Sequence, residues 1–466
     1  MSDGLTAAQL VADRLRGHLP APWEVYGERT RRFEVHLSGD RVEMVRGPIE
    51  IAGFGLRIFR PAGDRLGIGF ASSSDLSDAS VALAVKNAEA TAPWARSAAA
   101  RIELPGARSG PGPSVETVDP RLRADPEETL LGLAHELLAG VVARGDVRPS
   151  FGSVGGALSE ISLVNSEGLA ERWDRSSLDL EFAVKAFGGP EGTPPGEYWV
   201  TRRYGAVPRA GVREEVADWC RRAADVRRAK PPPPGVENIL FPVSVLADVL
   251  PTVVGYRLGG HAAVRKIAPP LGTTVASPSV TISDDGLLPL AHASAPFDDE
   301  GSVHRRTPLL EAGRVVGTLT DRVHASALDA PSTGNGHRGS ELYRYGCFVA
   351  PGVSASTLVV EAGSGGTDAE LAEAAGEGVW LDQLGYAFPD PTTSAFGGEI
   401  RLGYRIHQGR IGEPVRGGTI GGFTMGPAET PPLLASVAGL GSQAQLVGRL
   451  QAPTFLVKGF PLATQS

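Results

Sequence analysis

The sequence predicts an α+β fold: an N-terminal domain of helices on an antiparallel sheet, followed by a larger β-rich C-terminal domain. Three observations carry this expectation. The first part of the chain mixes short alternating runs with stretches whose apolar residues recur at helical spacing. The run Pro231-Pro-Pro-Pro-Gly235 cannot continue a helix and favours a stiff, extended connection, which divides the 466 residues into 1–230 and 231–466. From about residue 270 onward, short strands and glycine turns dominate, in a chain with 60 glycines and 37 prolines. A chain of this length exceeds one ordinary core.

The elements follow in order. Thr6 to Arg16 carries apolar residues at helical spacing, with Thr6 as N-cap. Trp23 to Phe70 alternates in short runs broken by Gly39-Asp40, Gly53 and Gly63-Asp64, and Phe33–Leu37 and Leu56–Phe59 read as half-buried antiparallel strands. Asp75 or Ser77 caps a helix that runs to about Ala92, where Pro93 helps to end it. Asp125-Pro-Glu-Glu opens a helix to about Ala143, with proline at its first position and acids in its first turn. Strands are expected around Ser153–Asn165 and Ala170–Phe187, then a helix from about Val212 to Arg228 with basic residues at its end. Past the prolines, Glu237 to Val245 is strand-like and Val245 to Gly255 helical.

Composition excludes several classes of function. A net charge of −8 argues against a general nucleic-acid binder, which shows a basic patch or stripe. Cys220 and Cys347 lie far apart, so there is no disulfide framework and a reducing cytoplasm is the expected setting. The N-terminus lacks a basic start followed by an apolar run, and no stretch approaches the ~20 apolar residues of a membrane helix. A soluble, cytoplasmic protein without membrane contact is expected.

Candidate chemistry is sparse. His135-Glu136 lies on a helix, but positions 139 and 140 are Ala and Gly, so the second histidine of a zinc-peptidase helix is missing. No Gly-x-Ser-x-Gly elbow follows a strand, and the glycine-rich runs 363–366 and 417–422 lack the Lys-Ser/Thr ending of a phosphate loop. His292, Asp298, Asp299, Glu300, His304, His324 and His337 fall within about fifty residues and offer metal-binding side chains. Their spacing puts them on different loops with no compact pair. The expected role of the turn 298–300 is architectural: its acids bond backbone amides and pair with Arg305, Arg306 or Arg322.

The stretch from Phe297-Asp-Asp-Glu-Gly301 to Ser332-Thr-Gly-Asn335 has the form of an acidic turn, a basic loop, a short hairpin and a glycine turn. It resembles the C-terminal half of the TldD/PmbA family, two-subunit metallopeptidases once called modulators of DNA gyrase. Gly53-Phe-Gly-Leu-Arg57, Gly67-Ile-Gly-Phe-Ala-Ser72 and Val81–Ala92 fit the opening pattern of that family. Leu163-Val-Asn-Ser-Glu-Gly168 matches its Asn-Ser-x-Gly turn, and Arg401–Gly409 and Pro414–Gly422 resemble its closing strands. The resemblance covers nearly the whole chain.

The resemblance implies a division between a zinc subunit, carrying HExxxH roughly 45 residues before the acidic turn, and a partner without zinc. Aligned on Arg265-Lys266 and Val275–Asp285, that window reads Thr252-Val-Val-Gly-Tyr-Arg257. Thr252 and Arg257 stand at the two histidine positions and Val253 at the general base. His261 follows, but 256 and 257 are Tyr and Arg, so no shifted motif forms. A third ligand, a cysteine, has no counterpart in Ala438–Ala444. The implied protein is a non-catalytic TldE/PmbA-type subunit with no cofactor of its own, paired with a TldD-like zinc metallopeptidase subunit that acts on unfolded or short peptides. Tyr256, Arg257, Thr333, Asn335 and Arg338 are the expected chamber-facing residues, and strand addition the expected mode of peptide binding. Two alternatives stay open: a stand-alone peptide-binding homodimer, and a hydrolase with a relocated metal site.

Overall fold

The computed structural model describes residues 6–20, 22–141, 146–188, 194–208, 211–339, 345–426 and 431–464. Its N-terminal part comprises α1 (Ala7–Leu15), β1 (Trp23–Ser38), β2 (Arg41–Ala62), β3 (Arg65–Ser73), α2 (Asp78–Thr91), α3 (Pro120–Ala124), α4 (Pro126–Val141), β4 (Val147–Asn165), β5 (Ala170–Ala186), β6 (Gly196–Tyr204) and α5 (Arg213–Arg228). The six strands form one antiparallel sheet in the order β3-β2-β1-β4-β5-β6. Thr6 and Gln9 form a reciprocal capping box at α1, and Ser77, rather than Asp75, caps α2. The expected helix from Asp125 is preceded by α3, whose cap Asp119 is buried and also accepts the Val207 N–H at 2.9 Å.

The central strand β1 explains the layering. Its odd positions Trp23, Val25, Phe33, Val35 and Leu37 are buried, with Phe54, Leu56 and Ile58 beside the first two and Val154, Leu180 and Phe182 on the same side further along. This face is covered by α1 and α2 at one end and by α4 and α5 at the other. The even positions read Glu24, Tyr26, Glu28, Thr30, Arg32, Glu34 and His36. Since successive side chains point to opposite faces, the sheet has one apolar face under helices and one charged face turned toward the C-terminal half.

The C-terminal part holds two main sheets. One runs in the order Arg314–Val315, Arg306–Glu311, Ile282–Asp285, Leu358–Val360, Leu450–Ala452, Gln445–Val447. The other runs Val437–Leu440, Phe455–Val457, Ile239–Phe241, Gly378–Gly385, Ala395–His407, Thr419–Phe423, Leu462–Ala463, with Arg410–Val415 paired to Ala395–His407. Ile282, Leu358 and Leu450 from the first and Phe241, Val379, Ile400 and Phe455 from the second share one apolar core. Short helices punctuate it: α6 (Val243–Leu246), α7 (Leu250–Arg257), α8 (Gly260–Val264), α9 (Arg322–Ala327) and α10 (Asp368–Ala375). The proline run does not leave the halves loosely tethered. Lys230 exchanges backbone bonds with Pro414 and Arg416, and the Tyr404 hydroxyl donates to Asp225 of α5 at 2.8 Å.

Three local expectations change. The strand expected over Glu237–Val245 is limited to Ile239–Phe241, because Pro242 has no amide hydrogen and instead precedes α6. The helix expected over Val245–Gly255 is two helices, α6 and α7, with Pro251 in the first turn of the second. Helices α9 and α10 stand where only turns were expected, although α10 has a legible Thr367–Glu370 capping box. Among the described residues no helix is long and apolar enough to cross a membrane.

The helix α2 rests directly on the backbone of β3: a Cβ at Gly67 or Gly69 would collide with the carbonyls of Ala92 and Ala88. Gly69→Ala should therefore destabilise the protein by about 1–3 kcal/mol through overpacking. Gly132 is exposed in α4 with open space around its Cβ position, so Gly132→Ala should stabilise by up to about 1 kcal/mol. Urea denaturation of both variants checks the opposite signs.

Candidate functional site

The acidic turn is a rigid hub. Asp298 Oδ1 accepts the N–H groups of Glu300 at 3.0 Å and Ser302 at 2.7 Å, and its Oδ2 accepts Gly336 N–H at 2.9 Å. Asp299 accepts the Arg338 N–H at 2.6 Å. Glu300 Oε2 accepts the Arg322 N–H at 2.8 Å, at the start of α9. Gly301 closes the turn at φ 76°, and any Cβ there would meet Leu163 and Leu169 of the N-terminal part. Burial pushes the Asp298 carboxyl well up, aided by Glu300, while the backbone donors work against that rise.

The expected bonds from these acids to backbone amides are present, but their ion pairs differ from expectation. Arg305 donates to the Ser332 carbonyl at 2.6 Å, and Arg306 bonds Ser283 at 2.9 Å. Arg322 reaches no carboxylate of the turn but donates to the carbonyls of Glu300 at 3.3 Å and Glu103 at 2.9 Å. The partner of Glu300 is Arg57 of β2, at 2.7 Å. Arg57 in turn grips Glu24 of β1 through Nε at 3.1 Å and Nη2 at 2.9 Å, and Glu24 also accepts Arg338 Nη2 at 3.1 Å. The guanidinium of Arg338 stands 4.6 Å above the Tyr26 ring. Glu24, Arg57 and Glu300 are 0%, 2% and 0% exposed, so this is a dry network of two carboxylates and two guanidiniums spanning both halves. Its β1 and β2 members escaped the sequence reading, although Glu24, Tyr26, Glu28 and Thr30 alternating with Trp23 and Val25 at the start of β1 were a usable signal.

The structure distributes the expected chamber residues unevenly. Asn335 and Arg338 are 1% and 5% exposed and face the interior, not an open chamber. Asn335 donates to Asp284 at 2.6 Å, and Thr333 bonds Thr320 and Asn335, so these side chains lock the glycine turn. Tyr256 and Arg257 are half-buried at the end of α7. Arg257 donates to the Thr392 carbonyl at 3.0 Å, and burial lowers its pKa.

Thr252 is exposed, whereas Val253 is 0% exposed and belongs to the C-terminal core. With Arg257, these side chains do not fit a zinc ion: they offer a surface hydroxyl, a core methyl pair and a cation. His135 and Glu136 lie on the exposed side of α4, where Glu136 accepts the Val212 N–H at 3.2 Å.

Compact histidine pairs do form, against the expectation from spacing, because loops distant in sequence fold together. His261 of α8 stacks on Tyr256 at 5.3 Å and meets His324 of α9 edge-on at 5.0 Å. A side chain on Gly260 would strike His324, so the close approach of α8 and α9 requires glycine. His324 Nδ1 donates to Asp321 at 2.8 Å and His261 Nε2 to the Val353 carbonyl at 2.9 Å, which fixes both tautomers. His304 and His337 form the second pair, 5.3 Å apart. Among the described residues no three His, Cys, Asp or Glu side chains gather in a way that could hold a metal ion.

Two outcomes test this reading of the hub. Arg57→Met strands Glu24 and Glu300 in the interior and should lower stability by about 3–5 kcal/mol, with part recovered in Arg57→Met/Glu300→Gln; urea denaturation reads both. Burial also pushes Asp284 up to about 7 despite its bonds from Asn335 and Ser356. Its carboxyl titrates near 4 in the unfolded chain, so the stability it contributes is full below about pH 4 and fades as pH rises through about 7. Asp284→Asn should remove that decline, and comparing both proteins at pH 4.5 and 7.5 should reveal a difference of up to about 3 kcal/mol.

Comparison with known proteins follows this geometry. A family model described as the PmbA/TldA metallopeptidase C-terminal domain matches residues 234–464, and one described as PmbA/TldA metallopeptidase domain 1 matches residues 23–92. A metalloprotease TldD homolog of Haemophilus influenzae is 30% identical over 150 residues, covering 32% of this chain and 30% of that protein. The metalloprotease MJ0996 of Methanocaldococcus jannaschii is 30% identical over 118 residues, covering 25% of this chain and 26% of that protein. These alignments thus span about a third or less of each relative's length. The crystal structure of TldE from Thermococcus kodakarensis superposes with a TM-score of 0.80 at 18% identity, covering 98% of both chains, which shows a shared fold. With both family domains matched in order, 301 residues in all (70 + 231), the chain belongs to the TldD/PmbA metallopeptidase family.

Proposed function

We propose that this chain is the non-catalytic, TldE-type subunit of a heteromeric zinc metallopeptidase. Its partner is a TldD-type subunit that holds the zinc and hydrolyses peptide bonds in unfolded or short peptides. The observation that carries this reading is the fate of α7. The helix is retained, but the position the resemblance assigns to the general base is Val253, a buried core residue, and Arg257 brings a cation to a ligand position. A helix so committed to packing supports an architectural role. Residues 1–230 and 231–466 serve as its two domains, in a cytoplasmic protein.

In this reading the chain shapes the chamber and admits peptide to its partner's metal. Tyr256 and Arg257 are its contribution to that space: an aromatic ring stacked on His261, and a guanidinium with no carboxylate within ion-pair distance among the described residues. The likeness to TldE, at 18% identity, supports the subunit assignment through the fold alone.

The test is metal content and peptidase activity on an unfolded peptide, for this chain alone and mixed with a TldD-type subunit. The expected result is neither zinc nor activity alone, and activity in the mixture above that of the TldD-type subunit by itself. Stoichiometric zinc with turnover by the lone chain would overturn the proposal.

A further inference from the structure

Between the charged face of the N-terminal sheet and the first C-terminal sheet lies a group of polar side chains that the Glu24–Arg57 network does not use. Arg449 stands in the turn before Leu450–Ala452. The Leu358 N–H donates to the Arg449 carbonyl at 2.9 Å, which sets Thr357 beside it. The neighbouring strand Gln445–Val447 packs on β6, bringing this turn to the N-terminal sheet. Arg175 of β5 is in register with Ser159 and Thr30, so it shares the charged face with Tyr26 and Glu28. His337 Nε2 meets the Ser356 hydroxyl at 3.0 Å, and His304 lies against the same ring.

Three features are those of a binding site rather than of packing. First, among the described residues neither Arg175 nor Arg449 has a carboxylate within ion-pair distance, although their positive charges act on each other. The acids whose charge reaches them bond other groups: Glu28 accepts the Thr30 hydroxyl at 2.9 Å and the Cys347 N–H at 3.2 Å, Asp284 accepts Asn335 at 2.6 Å and the Ser356 N–H at 2.8 Å, and Asp299 accepts the Arg338 N–H at 2.6 Å. Second, His304 Nε2, His292 Nδ1 and Thr357 Oγ1 are buried without any hydrogen-bond partner, and His304 and Thr357 are 2% and 0% exposed. Buried polar atoms are ordinarily paired, and unneutralised buried charge is costly. Third, Arg175, Arg449, His292 and His337 are half-buried rather than sealed, so each keeps surface that solvent can reach.

We propose that Arg175 and Arg449 bind an oxyanion between the two sheets, with Thr357 and His292 as hydrogen-bond donors and His304 as an acceptor for the rest of the ligand, and that the oxyanion is the terminal carboxylate of a peptide. Guanidinium groups match carboxylates geometrically and stay charged at every working pH. His304 Nδ1 donates to the Ala295 carbonyl at 2.7 Å, so its Nε2 is a bare acceptor that needs a donor from the ligand. A peptide end presents both halves, a carboxylate and an adjacent amide N–H. Burial and the two arginines keep His292 and His337 uncharged, which leaves the guanidiniums as the site's positive charge. The choice of a peptide rests on the subunit reading above; the oxyanion site does not.

The experiment is calorimetric titration of the purified chain with inorganic phosphate and with a short peptide, as free acid and as C-terminal amide, repeated for Arg175→Met and Arg449→Met. The free acid should bind at least about tenfold more tightly than the amide, and each variant should lose at least about tenfold in affinity for it. Without ligand, Arg449→Met should melt no lower than the parent protein, because burial and Arg175 both disfavour its charge; Arg175→Met gives up the attraction of Glu28 and Asp299 and is read by affinity alone. Binding of phosphate alone, lost in both variants, would uphold the oxyanion site and overturn the peptide as its source. Absence of binding by all three ligands at millimolar concentration, or binding unchanged in the variants, would overturn the site. The subunit reading fails by a different measurement, turnover by the lone chain.

Discussion

The register of the two halves depends on the chained circuit of charge Glu300–Arg57–Glu24–Arg338. An isolated carboxylate or guanidinium in a protein interior is strongly penalised, and the pair recovers that penalty only when geometry and hydrogen bonding are nearly complete. Here Glu24 takes four guanidinium bonds, and Glu300 divides its oxygens between Arg57 and the first amide of α9. Two negative and two positive groups leave little net charge. Such a circuit has one low-energy arrangement, so it sets the register of the acidic turn against β1 and β2 more sharply than apolar contact would. Through Glu300, the position of α9, and hence of His324 and its contact with His261, follows from the N-terminal sheet.

Much of the fold was legible in the sequence because the relevant signals are local. Thr6 with Gln9, the Pro126 start of α4 and the period-two pattern around Phe33–Leu37 each specify their element without help from distant residues. The misreadings share a cause as well. Pro242 splits what looked like one strand because a missing amide outweighs β propensity, and α9 is a helix of six residues, too short for periodicity to show. The site was legible only in part. The architectural character of residues 298–300 could be inferred from their setting among turn residues. Their true partner, Arg57, lies 243 positions away, and no spacing rule connects the two.

Helix α7 is committed to packing along its buried side. Val253 adds to the core that packs the two C-terminal sheets, so its side chain stabilises what a buried carboxylate would destabilise. The polar groups nearby are ordered ones: two histidines in fixed tautomers, a tyrosine stacked on one of them, and an arginine held by a backbone carbonyl. Such surroundings favour shape and orientation over proton transfer.

The two-faced character of the N-terminal sheet also bears on how the chain is made. Its central strand emerges first, yet Arg338, one of the groups that neutralises Glu24, follows 314 residues later. An apolar face left bare for so long would invite aggregation of the nascent chain. Because the uncovered face carries Glu24, Glu28, Thr30 and Arg32 instead, water can solvate it until the second half arrives. The arrangement that locks the finished molecule is thus one that the unfinished molecule tolerates on the ribosome.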